Sequence, residues 1–327
     1  MPRTTRTARE VIRVLGDGAF HSGEQLAQHL QISRSAVWKH LRRFRADGLE
    51  VFSVPGRGYR LAAPLDLLEA AAINAQLSPA SRRHLAALSV LDEVDSTNSW
   101  LMAEARELPA VCLAERQTAG RGRRGRQWVS PFAANLYMSL AWRFDDLPPG
   151  FPALAMAAAV AAARALATLG LRGVGIKWPN DLLVAGRKLG GILVDLQGES
   201  AGQARAVVGI GINVRMPAAA AVHIDQPWTD LATLMTERSV SRNALAAALI
   251  EELLQALRIF AARGFTAFTT EWRALDLAAG QSVELQQQHL SIRGTARGVD
   301  ADGALLLDTA AGTRRFVSGD LSLRFAP

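Results

Sequence analysis

HSGEQLAQHLQISRSAVWKHLRRFRADGLEVFSVPGRGYRL, residues 21–61, is the stretch whose reading decides the first part of the fold. Ser22 followed three residues later by Gln25 is a capping box, in which hydroxyl and amide each satisfy a backbone N–H that a helix start leaves unpaired. Leu26, Ala27 and Leu30 follow at helical spacing as an inner face. After the short turn Gln31-Ile32, Ser33 caps another helix, where Val37, Leu41 and Phe44 recur at i, i+4 and i+7. Its outer face carries Arg34, Ser35, Trp38, Lys39, Arg42 and Arg43. Gly48 ends it, and LEVFSVPGRGYRL reads as two short strands around Pro55-Gly56-Arg57-Gly58. Upstream, a helix from about Thr7 to Leu15 puts Val11, Val14 and Leu15 on one side. Helix, helix, turn, helix and a two-stranded wing predict a winged helix-turn-helix. The candidate DNA contacts are Ser33, Arg34, Ser35, Trp38, Lys39 and Arg42 on the last helix and Arg57 on the wing.

A small helical packing or protein-docking unit has the same apolar pattern, and the charge distribution decides between them. Residues 1–60 carry eleven Lys/Arg against five Asp/Glu, whereas the other 267 residues carry 26 against 25. Of the net +7, all but one charge belongs to the first sixty residues. A polyanion-binding surface is therefore expected there and not on the body.

Beyond AAPLD, residues 62–66, which reads as a linker, apolar strands alternate with helices. ALSVLDEV is a strand, and the loop Asp95-Ser96-Thr97-Asn98 leads into a helix with Trp100 and Leu101. AVCLAERQ is a strand entering GRGRRGRQWVSP, residues 120–131, with four arginines and three glycines in its first seven positions. NLYMSLAWRF leaves that loop as a strand. The alanine-rich run from Phe151 to Gly170 contains Arg164 and few large side chains, so a core helix is expected there and not a membrane span. GVGIKWPNDLLVAGRKLGGILVDLQGE and ARAVVGIGINV read as further strands with short turns, and helices run from about Ser241 to Leu277. From Gln281 to Phe325, five short strands (VELQQ, IRGTARGVD, ALLLDT, RRFVS, LSLRF) predict a small barrel or sandwich.

Several classes are excluded. One cysteine, Cys112, permits no disulfide framework and no cysteine-cluster metal site, and it reads as a core residue. Six histidines form no HxxxH pair, and no metal site is expected. GRKLGG is not a Walker A loop, and GIGIN lacks the third glycine of a dinucleotide fingerprint. The N-terminus has no secretory pattern, and a cytoplasmic protein with no membrane partner is expected. Of 37 cationic side chains only Lys39, Lys177 and Lys188 are lysines, and two of them fall within KWPNDLLVAGRK. A compact ammonium is not mimicked by a guanidinium. Lys188 therefore reads as catalytic, while Lys177 stays open between surface turn and site. An anion site of arginine loop, lysine and carboxylate is expected, with Trp128, Trp178 and Asn213 on its rim.

These residues carry a resemblance. GRGRRGRQWVSPFAANLYMS and KWPNDLLVAGRKLGGILVD are similar to the two signature segments of biotin–protein ligases, VDSTN and GIGINV to two shorter ones in the same order. With the N-terminal region, the whole chain resembles the bifunctional family of biotin–protein ligases and biotin operon repressors. One departure is Ala133 in SPFAAN, where the family usually has glycine, which bears on loop kinetics. The resemblance implies an α+β multidomain protein. Its parts are a winged helix-turn-helix over 1–62, a mixed-sheet α/β ligase domain over 66–277 and an SH3-like barrel over 278–327.

It also implies a reaction. Biotin and ATP give biotinyl-5′-adenylate, and biotin passes to a lysine of biotin carboxyl carrier protein; the adenylate-bound homodimer binds operator DNA of the biotin genes. Mg2+ is implied as the ion accompanying ATP. Ser96, Thr97, Asn98 and Gln117 would bind the biotin head; Arg121, Gly122 and Arg123 would close on the intermediate, and Trp128 would cover it. Lys188 would bridge carboxylate and α-phosphate, Asn213 would lie near adenine, and Asp181 would receive the acceptor lysine. Arg124 reads as solvated. Two other readings remain: a ligand-sensing regulator without ligase activity, and a lipoate–protein ligase, whose substrate lacks the ureido ring.

Overall fold

The computed structural model describes residues 6–46, 48–200, 203–287, 290–317 and 322–325. The first five residues, and the junction 318–321 between the last two expected strands, lie outside the described residues.

The winged helix-turn-helix forms as its spacing requires. Helices α1 (Arg6–Leu15), α2 (Gly23–His29) and α3 (Arg34–Ala46) precede the antiparallel pair β1 (Val51–Val54) and β2 (Gly58–Leu61). The Ser22 hydroxyl accepts from Gln25 N at 3.0 Å, and Ser22 N donates back to the Gln25 amide oxygen at 3.0 Å. Ser33 caps α3 by accepting from Ala36 N at 3.2 Å. Val11, Ile12, Leu15, Leu26, Val37, Leu41 and Phe44 close the core; each large side chain so buried contributes about 1.5–3 kcal/mol relative to leaving it in water.

The linker is clamped at both ends. Leu65 N donates to Gly16 O in the first domain at 2.9 Å, and Asp66 O accepts from Arg242 of the body at 2.8 Å. Arg9 and Arg13 reach Asp92 and Glu69 of the body at 3.1 and 2.8 Å. The two domains therefore touch through ion pairs as well as through the chain.

The body is built on one seven-stranded sheet. Its strands are β3 (Ala87–Leu91), β4 (Ala110–Ala114), β5 (Leu136–Phe144), β6 (Val174–Lys177), β7 (Asp181–Val184), β8 (Arg187–Ser200) and β9 (Gln203–Ile212). The order is β3-β4-β5-β9-β8-β7-β6, parallel between β3 and β4 and antiparallel elsewhere. Two short helices, α4 (Ala70–Gln76) and α5 (Pro79–His84), precede β3; α6 (Thr97–Glu104) follows it.

The stretch Phe151–Thr168 is long and apolar enough to cross a membrane by composition, yet it forms the buried helix α7 (Leu154–Thr168). After the one-turn helices α8 (Ala218–Ala221) and α9 (Leu231–Leu234), the long helix α10 (Arg242–Arg263) lies against α7. α7 and α10 cover one face of the sheet, α6 packs on β4, β5 and β9, and α11 (Thr269–Leu275) closes the helical layer. At the root of α10, Arg242 pairs with Glu115 at 2.7 Å with both side chains buried. Glu115 also accepts from Leu68 N at 2.6 Å. Cys112 is buried, and burial pushes its thiol far above the ordinary range, as suits a core residue.

The C-terminal unit is a five-stranded, wholly antiparallel sheet. It runs β13-β12-β11-β10-β14, with β10 at Ser282–Gln287, β11 at Leu290–Val299, β12 at Leu305–Thr309, β13 at Gly312–Phe316 and β14 at Ser322–Phe325. Val283, Leu285, Leu305 and Leu307 bury alternate positions, the period of a half-covered strand. Trp178 corrects one expectation here. It does not lie on the rim of the anion site but in the core, its indole N–H donating to Gly303 O of this unit at 3.1 Å. A large ring with one donor satisfies both demands only by being buried against a carbonyl.

Candidate active site and DNA-binding face

Register places the site. Residues paired directly across antiparallel strands share a face, and every second residue returns to it. Lys177 pairs with Asp181, Asp181 with Gly191, Gly191 with Gly211, and Gly211 with Tyr137. This row crosses five strands. The next row on the same face joins Leu193, Gly209 and Ser139, and the one after it Asp195, Val207 and Ala141. On β9 the glycines of GIGI therefore face the site, while Ile210 and Ile212 face the helical core.

The glycines leave room for what lies above them. A Cβ on Gly209 would sit 2.3 Å from the Asn98 amide oxygen, and one on Gly211 would sit 2.5 Å from the Trp128 ring. GIGIN thus makes a floor in the middle of the sheet.

Over one end of this floor lies a buried polar network. Ser96, Thr97 and Asn98 begin α6, and all are nearly inaccessible. Gln117 accepts from Thr97 N at 2.9 Å and from its hydroxyl at 3.2 Å, and donates to Ser130 Oγ at 3.3 Å. The Ser139 hydroxyl lies 2.6 Å from both the Thr97 hydroxyl and the Asn98 amide oxygen. Ser96 stands at the N-cap of α6 without using its hydroxyl on the helix, which frees that group for another partner. Sequence reasoning missed Ser139; a lone hydroxyl between Met138 and Leu140, at the end of the segment GRGRRGRQWVSPFAANLYMS, was the available signal.

The charged end is built by an irregularity. Between β7 and β8 the pairing passes from Leu182 with Gly190 to Leu183 with Lys188, so Leu189 is an extra residue. Such a bulge re-aims the side chains beside it. Lys188 thereby reaches Asp181 Oδ1 at 2.7 Å and lies 5.5 Å from the Trp128 ring centroid. Lys177 lies 3.7 Å from the other oxygen of Asp181, so the structure settles its place beside the site. Burial pushes the Lys177 ammonium below the usual lysine range; Asp181 opposes that shift, and Lys188 and Arg126 add to it.

The arginine loop is a small hairpin. Arg121 pairs with Gln127, Gly122 N donates to Arg126 O at 2.7 Å, and Trp128 N donates to Gly120 O at 2.9 Å. Arg121 reaches Asp195 Oδ2 at 3.0 Å and Ser99 at 3.3 Å, and Arg123 reaches the Asn180 amide oxygen at 3.4 Å. Arg124 is exposed, with φ +59°. At the loop's exit Ala133, the departure from the usual glycine, adopts φ +54°, a left-handed conformation that favours glycine. Asn213, expected beside adenine, is buried and spends its amide N–H groups on Thr229 O at 3.0 Å and Lys188 O at 3.4 Å. It braces the Lys188 strand. Among the described residues no group of three or more His, Cys, Asp or Glu could hold a metal ion.

On the first domain the cap Ser33 and, on α3, Arg34, Ser35, Trp38, Lys39 and Arg42 are all exposed, opposite Val37, Leu41 and Phe44. Arg42 stacks over Trp38 at 5.4 Å, and on the wing Arg57 stacks over Phe20 at 4.3 Å. A stacked guanidinium keeps its edge donors directed outward, ready for phosphate.

A basic helix-turn-helix joined to a glycine-floored sheet with fixed cations defines a DNA-binding protein that carries an acid-activating ligase body. Family models match residues 90–213 (biotin/lipoate A/B protein ligase family), 7–60 (HTH domain) and 279–324 (biotin protein ligase C terminal domain). The bifunctional ligase/repressor BirA of Salmonella typhimurium is 40% identical over 326 residues, 99% of either chain. The chain belongs to this family of bifunctional biotin–protein ligase/repressors. The Escherichia coli relative of the same name is 41% identical over 97% of each chain. Among solved structures, the Aquifex aeolicus biotin protein ligase in complex with biotin and ATP matches with TM-score 0.63 and 29% identity, covering 74% of this chain and 100% of that one.

Proposed function

We propose that the protein activates biotin with ATP, transfers it to a lysine of biotin carboxyl carrier protein, and represses biotin genes when its adenylate is bound. The observation that carries the reading is the meeting of Lys188, Asp181 and Trp128 above Gly191 and Gly211, beside a loop that offers Arg121 and Arg123.

In the first step a biotin carboxylate oxygen attacks the α-phosphorus, and the bond to pyrophosphate breaks. Two anions must meet, so fixed cations are the main requirement. Arg121 and Arg123 supply bidentate donors, and Lys188 a point charge that can touch carboxylate and phosphate together. Mg2+ accompanying the nucleotide would be held by phosphates and water, the usual arrangement for this ion, and would offset triphosphate charge; Asp181 and Asp195 are already paired with cations. The buried hydroxyls and amides of Ser96, Thr97, Asn98 and Gln117 suit a ureido head, whose every polar atom needs a partner once buried. Trp128 excludes water from the mixed anhydride.

In the second step the carrier's amine attacks the acyl carbon and AMP leaves. Asp181 gains the freedom to receive the amine's proton when Lys188 turns to the phosphate, because a carboxylate between two ammoniums is a poor acceptor. We place this activity in the cytoplasm, where carrier and DNA are both at hand.

The test is incubation with labelled biotin, Mg-ATP and apo carrier domain. Labelled carrier is expected, with no labelling from lipoate. Adenylate-independent DNA binding without any labelled carrier would return the chain to a sensor without ligase activity.

A further inference from the structure

Asp195 closes the segment KWPNDLLVAGRKLGGILVD with no role assigned to it, yet one of its oxygens serves two parts of the site. Oδ2 accepts from the Asn98 amide nitrogen at 3.0 Å and from Arg121 NH2 at 3.0 Å. Asn98 belongs to the buried network over Gly209, and Arg121 belongs to the loop hairpin. Two consequences follow from the chemistry of a carboxylate. It only accepts, so it turns the NH2 of Asn98 toward itself and the amide oxygen toward Ser139, where a hydroxyl waits at 2.6 Å. It is also the counter-charge that draws the Arg121 guanidinium down beside Ser99 on α6.

The pair with Arg121 is half exposed on the arginine side, 50% against 26% for the carboxylate. A pair in that setting adds little to stability. Its geometric effect is larger, because it ties the base of the loop to the end of the pocket farthest from Lys188. We infer that Asp195 is a positioning residue that holds Asn98 and Arg121 in one arrangement, so that occupation of the head-group pocket and placement of the loop's first arginine are a single event. The inference rests on the proposed reading of that pocket as the biotin site.

The experiment uses the full-length protein and biotin-dependent exchange of pyrophosphate into ATP. Asp195→Asn keeps the size and one acceptor oxygen but removes the charge. It is expected to raise KM for biotin about tenfold, the scale of one charge-assisted hydrogen bond. KM for ATP stays within about twofold and kcat within about threefold, since no reacting atom is touched. Asp195→Glu, which restores the charge on a longer arm, recovers part of the loss. A merely structural residue would shift the thermal midpoint and leave the KM split unmoved.

Double-mutant cycles with Asn98→Ala and Arg121→Ala should be non-additive in KM for biotin, because the partners act as a unit. Unchanged KM in Asp195→Asn, or full additivity in both cycles, overturns the inference while the pocket assignment stands. If Asn98→Ala and Arg121→Ala themselves leave KM for biotin unchanged, the pocket assignment falls, and this inference with it.

Discussion

Lys188 owes its position to one extra residue, Leu189, and its proposed role to being one of three lysines among 37 cationic side chains. Lys188→Ala is expected to slow adenylate formation by roughly two to three orders of magnitude, the cost of losing one preorganised charge donor. Pyrophosphate exchange measures it, and a normal rate would make Lys188 a structural counter-ion of Asp181. Ala133 gives a prediction of the opposite sign. At φ +54° its Cβ is strained, and left-handed backbone costs an L-residue roughly 1–2 kcal/mol. Part of that is returned because glycine has more unfolded-state freedom. Ala133→Gly should therefore stabilise the protein by about 1 kcal/mol, read from the denaturant midpoint. An unchanged or lowered midpoint means that the methyl group's packing outweighs the strain.

At the scale of elements, the hairpin from Gly120 to Trp128 is fastened at its base and loose at its tip. Arg121 and Trp128 make backbone bonds to Gln127 and Gly120, and Gly122 to Arg126, whereas Arg124 and Gly125 at the turn are exposed. Arg123 stands between these parts, and its contact with Asn180 joins the tip to the turn before β7. Arg123→Gly is expected to leave adenylate synthesis measurable but to shorten the intermediate's stay, since the loop loses an anchor to its ligand. Escaped adenylate acylates exposed amines without selection. The measurement is labelled biotin on a mixture of apo carrier and an unrelated lysine-rich protein. Labelling confined to the carrier at the normal rate would remove the loop's role as a lid.

Across the whole molecule, the loop runs directly into the DNA-binding domain. Phe132, two residues beyond Ser130, packs against the core of the helix-turn-helix, and Ala133 N donates to Glu115 O at 3.0 Å. Glu115 meets Arg242 and Leu68 in a buried cluster at the junction of linker, sheet and α10. Lys188 is bonded in turn to the segment before α9, with Lys188 N donating to Pro227 O at 3.0 Å. A ligand that orders the loops Arg121–Trp128 and Arg215–Trp228 can therefore act on both domains. We propose that adenylate orders these loops into a homodimer surface, which sets two helix-turn-helix domains at the spacing of a two-fold operator. Differential affinity for the dimer-competent state is the only drive available to it. Operator binding at fixed salt should tighten with biotin plus ATP, and weaken again as apo carrier consumes the adenylate. Indifference of operator affinity to biotin and ATP would separate the two activities.

Local chemistry determined much of this. The Ser22 capping box, the i, i+4, i+7 row of Val37, Leu41 and Phe44, and the excess charge of the first sixty residues are properties of neighbouring residues, so they could be read without a partner element. The period-two strands near the C-terminus and the arginine loop beside a lysine pair were legible for the same reason. What only the tertiary structure decided is which residues meet. Trp178 went to the core, because a distant carbonyl on Gly303 was there to receive its N–H, and Asn213 came to lie against the Lys188 strand through the carbonyls of Thr229 and Lys188. Ser139 and Asp195 each close a signature segment without a role that the segment itself reveals, and they joined the site through the register of β5, β9 and β8. Lys188 faces Asp181 because a bulge shifted that register by one residue. A shift of one turns a side chain to the other face of a sheet. β7 and β8 are neighbours in the chain, but the extra residue Leu189 is held from outside their hairpin, its carbonyl accepting from Asn213 N at 2.9 Å, and no apolar period marks it.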